Sequence, residues 1–301
     1  MRPKSISGHN SISDIPPLPA GKDVVDIFSD YYRYLYMCAK DYISESNAHS
    51  PTLWTSVESS IEYVLTHPNG WEGVHQQQLR RAAIKAGLVP NNDEAHARIR
   101  FVTEGEASLQ FCICNGLTTE ALKKGGGVLI IDAGGGTIDM CVYGEAQKRK
   151  DAFEELASPE CYLQGSLYVT LRAKAFLQDF VKGTKFADDV EAMTAYFDKF
   201  AKQTFDGNDL FLKFGSARDT DSKLRIRGGR LTLLGEDVEG FFEPSISCIA
   251  RAIEMQCTAV RKPVSAVFLV GGFSASNYLF SKLKEAAKRL DINLCRPHSN
   301  P

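Results

Sequence analysis

Apolar residues recur at helical spacing from Val24 through Ile27, Phe28, Tyr31, Leu35, Cys38 and Tyr42, and predict a first helix. The polar stretch around Ser50-Pro51 breaks it. At Ser60–Thr66 the period changes to two. Ile61, Tyr63 and Leu65 alternate with Glu62, Val64 and Thr66, which predicts a strand. His67-Pro68-Asn69-Gly70 stops that strand, and Glu72–Ala86 predicts a helix closed by Gly87 as a left-handed cap. A second strand, Arg98–Thr103, leads into a helix from about Glu106 to Cys114.

Gly127–Asp132 is an apolar run of strand length, Gly134-Gly135-Gly136 is a turn, and Thr137–Tyr143 places Ile138, Met140 and Val142 on one face. Two strands about a glycine turn predict a β-hairpin. After Lys148-Arg149-Lys150 the pattern is mainly helical, with helices expected at Ser166–Lys182, Ala187–Phe205 and Val238–Val260. Short strands are expected at Leu210–Phe214, Leu224–Ile226 and Leu231–Leu233. The last unit is a strand, Val264–Val270, then Gly271-Gly272, then a helix from about Ser276 to Leu290. An apolar strand ending in a glycine turn thus occurs once in each half, as expected of two lobes gripping one ligand.

Composition narrows the class. Apolar residues at 44% and charged residues at 24% predict an ordinary soluble globular protein. A net charge of −2 argues against nucleic-acid or membrane partners held by bulk electrostatics. The apolar runs are too short to span a bilayer, and no apolar segment of signal-peptide type follows Met1-Arg2-Pro3-Lys4, so a cytoplasmic protein is expected. The eight cysteines read as reduced and mostly buried thiols; Cys112 and Cys114 form a lone pair without a second pair at metal-ligand spacing. The six histidines form no metalloenzyme cluster.

Two segments carry chemistry. In Ile130-Ile131-Asp132-Ala133-Gly134-Gly135-Gly136-Thr137-Ile138-Asp139, three glycines let backbone N–H groups approach an anion, and Thr137 adds a hydroxyl. Asp132 can hold the water shell of a magnesium ion or orient an attacking water, while Asp139 either reaches metal-bound water or faces solvent. The plain alternative is a tight hairpin turn. Neither a Walker loop nor a dinucleotide fingerprint is present, since no helix is expected after these glycines. In Val267-Phe268-Leu269-Val270-Gly271-Gly272-Phe273-Ser274-Ala275-Ser276, a strand delivers a glycine turn, and Ser274 or Ser276 caps the next helix.

Together these segments resemble the second phosphate motif and the adenosine motif of the actin-like ATPases. Their wording is similar to the heat shock protein 70 family, especially its divergent heat shock 70 kDa protein 12-like group with many fungal members. Ile61–Leu88, Thr103-Glu104-Gly105-Glu106-Ala107-Ser108, Gly165-Ser166 and Ala201-Lys202 resemble further family segments in the same order. The resemblance implies an α/β, actin-like ATPase (ribonuclease H-like) bilobal fold. It implies ATP or ADP bound with Mg2+ in a chaperone-type ATPase, and co-chaperone or client proteins as partners. Asp132 would be catalytic. Gly134, Gly135, Gly136, Thr137, Gly271, Gly272, Ser274 and Lys202 would bind nucleotide, and Asp132 and Glu104 would reach the metal through water. Read from the residue alone, Lys202 is an exposed helical lysine.

The chain departs from the family in three ways. Residues 1–23, read as a flexible arm, hold no counterpart of the first phosphate hairpin. The second connecting motif would begin near Arg296-Pro297. Phe273 and Ala275 stand where the chaperones carry serine and arginine. The expected first lobe is therefore incomplete: residues 24–145 form a partial first lobe with the phosphate hairpin, 146–262 the second lobe, and 263–301 the adenosine strand and helix. Hydrolysis is expected to be weak or lost. The alternatives are a pseudo-ATPase that contacts proteins without turnover and, less well supported, a sugar or acid kinase on the same fold.

Overall fold

The computed structural model describes residues 17–46, 50–69, 71, 73–115, 126–146 and 152–297. The fold is mixed α/β and divides into two compact units, with the break between Ala107 and Ser108. Most of the expected flexible arm, 1–16, lies outside the described residues, as do Gly70 and Glu72. Among the described residues, no helix is long and apolar enough to cross a membrane.

The first unit contains α1 (Val24–Ser46), α2 (Ser50–Val57), β1 (Tyr63–His67), α3 (Val74–Ala86), α4 (Asp93–His96) and β2 (Ile99–Thr103). Strands β1 and β2 pair in parallel, from Tyr63 opposite Ile99 to His67 opposite Thr103. Helix α3 ends as its sequence predicts. Gly87 takes φ 86°, its N–H donates to the Ile84 carbonyl, and the Leu88 N–H donates to that of Ala83. This is a Schellman closure, and the Leu88 side chain packs into the same apolar cluster as Ala83.

Helix α1 forms where expected, but its apolar stripe faces outward. Val24, Tyr31, Leu35, Cys38 and Tyr42 are exposed, while Val25 and Ser29 are buried and Tyr32 and Tyr36 pack on the first unit's core. Its packing face is set by α3, to whose last carbonyls, at Lys85 and Ala86, Arg33 donates.

Helix α5 (Glu104–Cys114) starts two residues earlier than its sequence predicts. Thr103 Oγ1 accepts from the Glu106 N–H at 3.1 Å, and Glu106 Oε2 accepts from the Thr103 N–H at 3.0 Å. This reciprocal capping box satisfies amides that would otherwise be orphaned at the helix start.

The second unit is built on β3 (Gly127–Ala133), β4 (Ile138–Glu145), β5 (Phe153–Glu155), β6 (Glu160–Tyr162), β10 (Val264–Val270) and β11 (Asn293–Cys295). The sheet order is β11-β10-β3-β4-β5, with β6 also on β4. Strand β10 runs parallel to β3 and β11, whereas β4 is antiparallel to β3, β5 and β6. The hairpin and the strand before Gly271 thus share one sheet, although the sequence division put them in separate segments. Hydrogen bonding between β3 and β10 is what joins them.

Both faces of the central strands are buried, which explains their near-continuous apolar runs. Leu129, Ile131, Met140, Val142, Val267 and Leu269 face the larger core. That core is completed by α6 (Ser166–Phe180), α7 (Val190–Tyr196), α9 (Gly235–Ala259) and α10 (Asn277–Arg289). Val128, Ile130, Cys141, Tyr143 and Phe268 face the other way and pack with Leu109 and Cys112 of α5. The helix expected over Ala187–Phe205 is broken into a 3-10 turn, α7, a π turn (Phe197–Ala201) and α8 (Lys202–Thr204). A small antiparallel sheet has the order β7 (Leu210–Lys213), β9 (Arg230–Leu233), β8 (Ile226–Arg227). None of the eight cysteines is in a disulfide, but only Cys112, Cys141 and Cys248 are buried, and Cys38 and Cys114 are exposed.

Candidate functional site

The glycine turn between β3 and β4 is closed by the Gly134 N–H donating to the Thr137 carbonyl at 2.9 Å. Its three glycine carbonyls are engaged by the start of α6. The amides of Gly165, Ser166 and Leu167 donate to the carbonyls of Gly136, Gly134 and Gly135 at 3.2, 3.1 and 2.9 Å. Gly165 has to be glycine for this approach, because a Cβ there would overlap the carbonyls of Gly134 and Gly135.

With the carbonyls turned toward α6, the N–H groups of Gly135, Gly136 and Thr137 have no protein acceptor among the described residues. Gly135 and Gly136 are exposed and Thr137 is half-buried. Successive unused amides make a nest for an anion. Each glycine peptide also accepts from a helix amide, which polarises it and strengthens its own N–H as a donor.

Asp132, next to last in β3, lies directly opposite Asp139 in the antiparallel register. Opposite residues share a sheet face, so two carboxylates stand side by side. Ser108 Oγ donates to Asp132 Oδ2 at 3.4 Å. Burial raises the Asp132 pKa above the usual carboxylate value; the Asp139 charge adds to this, and the Ser108 hydroxyl opposes it. The described residues contain no group of three or more side chains arranged to hold a metal. A carboxylate pair beside an anion nest fits a largely hydrated magnesium ion that takes its remaining ligands from water and phosphate oxygens.

The second glycine turn lies next to the first. Val270 pairs with Asp132, so β3 and β10 end together. Gly271 has φ 84° and lies so close to β3 that a Cβ would overlap Asp132 Oδ1 and the Ala133 carbonyl. A 3-10 turn (Gly272–Ala275) follows, with Phe273 buried against Phe242. The Ser274 N–H and hydroxyl both donate to the Gly271 carbonyl, at 3.0 and 2.6 Å. Ser276, not Ser274, caps α10 by accepting from the Leu279 N–H. Just past β11, Arg296 donates to the Ser274 carbonyl at 2.8 Å and to Asn277 Oδ1 at 2.9 Å, which ties the turn to the start of α10.

From β3 the chain crosses to β4 on one side; from β10 it leads through α10 to β11 on the other. Connections that diverge at the carboxyl ends of neighbouring parallel strands open a crevice, where ligands of α/β sheets bind. The two sequence motifs therefore converge on one crevice.

Lys202 is buried rather than exposed, and its ammonium donates to Asp198 Oδ1, Thr170 Oγ1 and the Ser166 carbonyl at 2.5, 2.9 and 3.2 Å. Three acceptors use its three protons, so a direct adenosine contact would need one of these bonds to break. Glu104 occupies the first turn of α5 in the first unit, beside Gly105, whose N–H donates to the buried Asn69 Oδ1 at 3.2 Å. Sequence reasoning missed the roles of Gly165, Ser108 and Arg296. Gly165 and Ser108 lie in segments that carried a family resemblance, but nothing in the sequence linked Gly165 to the glycine turn, Ser108 to Asp132 or Arg296 to the second turn. A scan of protein families and a search of curated proteins each returned no match for this chain.

Proposed function

We propose that this chain is a nucleotide-binding protein of the actin-like ATPase type, related to the heat shock protein 70 family, that takes ATP or ADP with Mg2+. The observation that carries the reading is the convergence of two glycine turns at the ends of parallel neighbours, one with a row of unused amides and the other against Asp132. Gly134–Thr137 would hold phosphate and Gly271-Gly272 would border the adenosine. Asp132 and Asp139 would hold hydrated magnesium, and Asp132 would orient water.

Hydrolysis by this chain alone is expected to be slow. The glycine turn supplies one set of backbone donors, and a missing donor at a transition state costs about 3–4 kcal/mol. A protein-contacting pseudo-ATPase is the second reading. It is favoured by the exposed apolar side chains of Tyr31, Tyr34, Leu35, Met37 and Tyr42 along α1.

Calorimetric titration with ATP, with and without magnesium, tests the first reading. Magnesium-dependent binding that is lost in Gly135→Val is the expected result. A chain that binds neither ATP nor ADP leaves the scaffold reading standing, and rapid steady-state turnover overturns the expectation of slow hydrolysis.

A further inference from the structure

The buried Lys202 is misplaced if its role is to stabilise the fold. Its ammonium sits on the first turn of α6, the positive end of that helix dipole, where a cation is unfavourable. It is 7% exposed, so it has also lost most of its hydration. Its counter-ion, Asp198, compensates incompletely because its side chain remains 51% exposed. Burial pushes the Asp198 carboxyl up, yet hydrogen bonds from Lys202 and Thr170 outweigh this and hold it below the usual carboxylate range. A π turn, Phe197–Ala201, carries Asp198 and leads directly into Lys202; such turns recur at functional sites.

The arrangement connects to the glycine turn by a short path. Lys202 Nζ donates to the Ser166 carbonyl, and the Ser166 N–H donates to the Gly134 carbonyl. The ammonium thus stands one residue and two hydrogen bonds behind the anion nest, on the side away from its unused amides. A positive charge there reinforces α6 and the polarised glycine peptides in attracting negative charge.

We propose that Lys202 is a positioning and specificity-determining residue that acts through Ser166 on the glycine turn. It favours ligands with a polyphosphate chain over the same ligands without one and makes no contact with them itself. Asp198 attenuates this field. The ATP arm of the test below rests on the nucleotide-binding reading; the pyrophosphate arm does not.

The experiment is titration of the full chain with pyrophosphate, ATP and adenosine, using wild type, Lys202→Met and Asp198→Asn. Lys202→Met is expected to weaken pyrophosphate and ATP about tenfold and adenosine less than about twofold. Asp198→Asn, which leaves the ammonium unneutralised, is expected to strengthen pyrophosphate and ATP about threefold. A purely structural pair would make both substitutions weaken all three ligands together. That result, or unchanged pyrophosphate binding in Lys202→Met, overturns the proposal. Should Lys202→Met fail to fold, the sign of the Asp198→Asn effect decides. Opposite effects on pyrophosphate in a protein that ignores ATP support the field at the turn and refute the nucleotide reading. A wild type that binds neither pyrophosphate nor ATP overturns both.

Discussion

The two glycine turns end neighbouring strands, yet they hold their glycines for different physical reasons. At Gly271 the protein itself excludes a side chain: φ is positive, and a Cβ would run into Asp132 and the backbone of Ala133. Gly165, which supports the first turn from α6, is excluded in the same way by the Gly134 and Gly135 carbonyls. At Gly135 and Gly136 a Cβ would meet nothing within 4 Å, and neither residue has a positive φ. Folding does not demand glycine at those two positions. What it leaves there is open backbone with unused N–H groups, as a close-approaching ligand requires.

Substitutions can break that distinction. The largest effects are expected for Gly271→Ala and Gly165→Ala, which force a methyl into backbone atoms. Each should destabilise by about 2–4 kcal/mol in urea unfolding, Gly271→Ala the more because it adds φ strain. A cost below about 1 kcal/mol at both would show that the close approaches yield easily.

A smaller, pH-dependent effect is expected for Asp132→Asn. The folded chain raises the Asp132 pKa above the usual 3.8, so it holds this proton more tightly than the unfolded chain does. Stability from the protonated form is present below 3.8 and is lost as pH rises through the raised value. Asp132→Asn escapes that loss. Its melting temperature should match wild type in acid and exceed it at neutral pH, by about 0.5–1 kcal/mol in stability, as like-charged cross-strand pairs imply. A gap that does not change with pH would remove the argument. The smallest stability effect, within about 0.5 kcal/mol, is expected for Gly135→Ala and Gly136→Ala. Their ATP affinity should nevertheless fall about tenfold if the amides serve a phosphate. Equal losses in stability and affinity would erase the difference between the turns.

Long periodic segments were legible without a structure. Val264–Val270 and the Gly87 helix end follow directly from apolar runs and a single glycine. The three-residue strands Phe153–Glu155, Glu160–Tyr162 and Asn293–Cys295 were not, because so short a segment has no period to read. The α1 stripe was read correctly as helical, but periodicity does not say which face a neighbour will cover. At the candidate site, the glycines and Asp132 could be singled out from residue type, since their chemistry is intrinsic. The proposed role of Lys202 could not, because it depends on a serine carbonyl and a threonine that only tertiary packing brings near. Nor could the use of the α6 amides as supports for the turn, which joins segments about 30 residues apart through backbone atoms alone.

The pairing of β3 with β10 also sets a schedule. Val128 lies beside Ala266, so the central strand lacks its parallel neighbour until the segment around Ala266 has been synthesised. At about 5–20 residues per second, that gap lasts on the order of ten seconds. Throughout it, a hairpin that is apolar on both faces waits with one edge open. Such a nascent chain exposes an unpaired apolar strand edge, and the crevice between the two glycine turns cannot form until the strand Val264–Val270 and Gly271 have emerged from the ribosome.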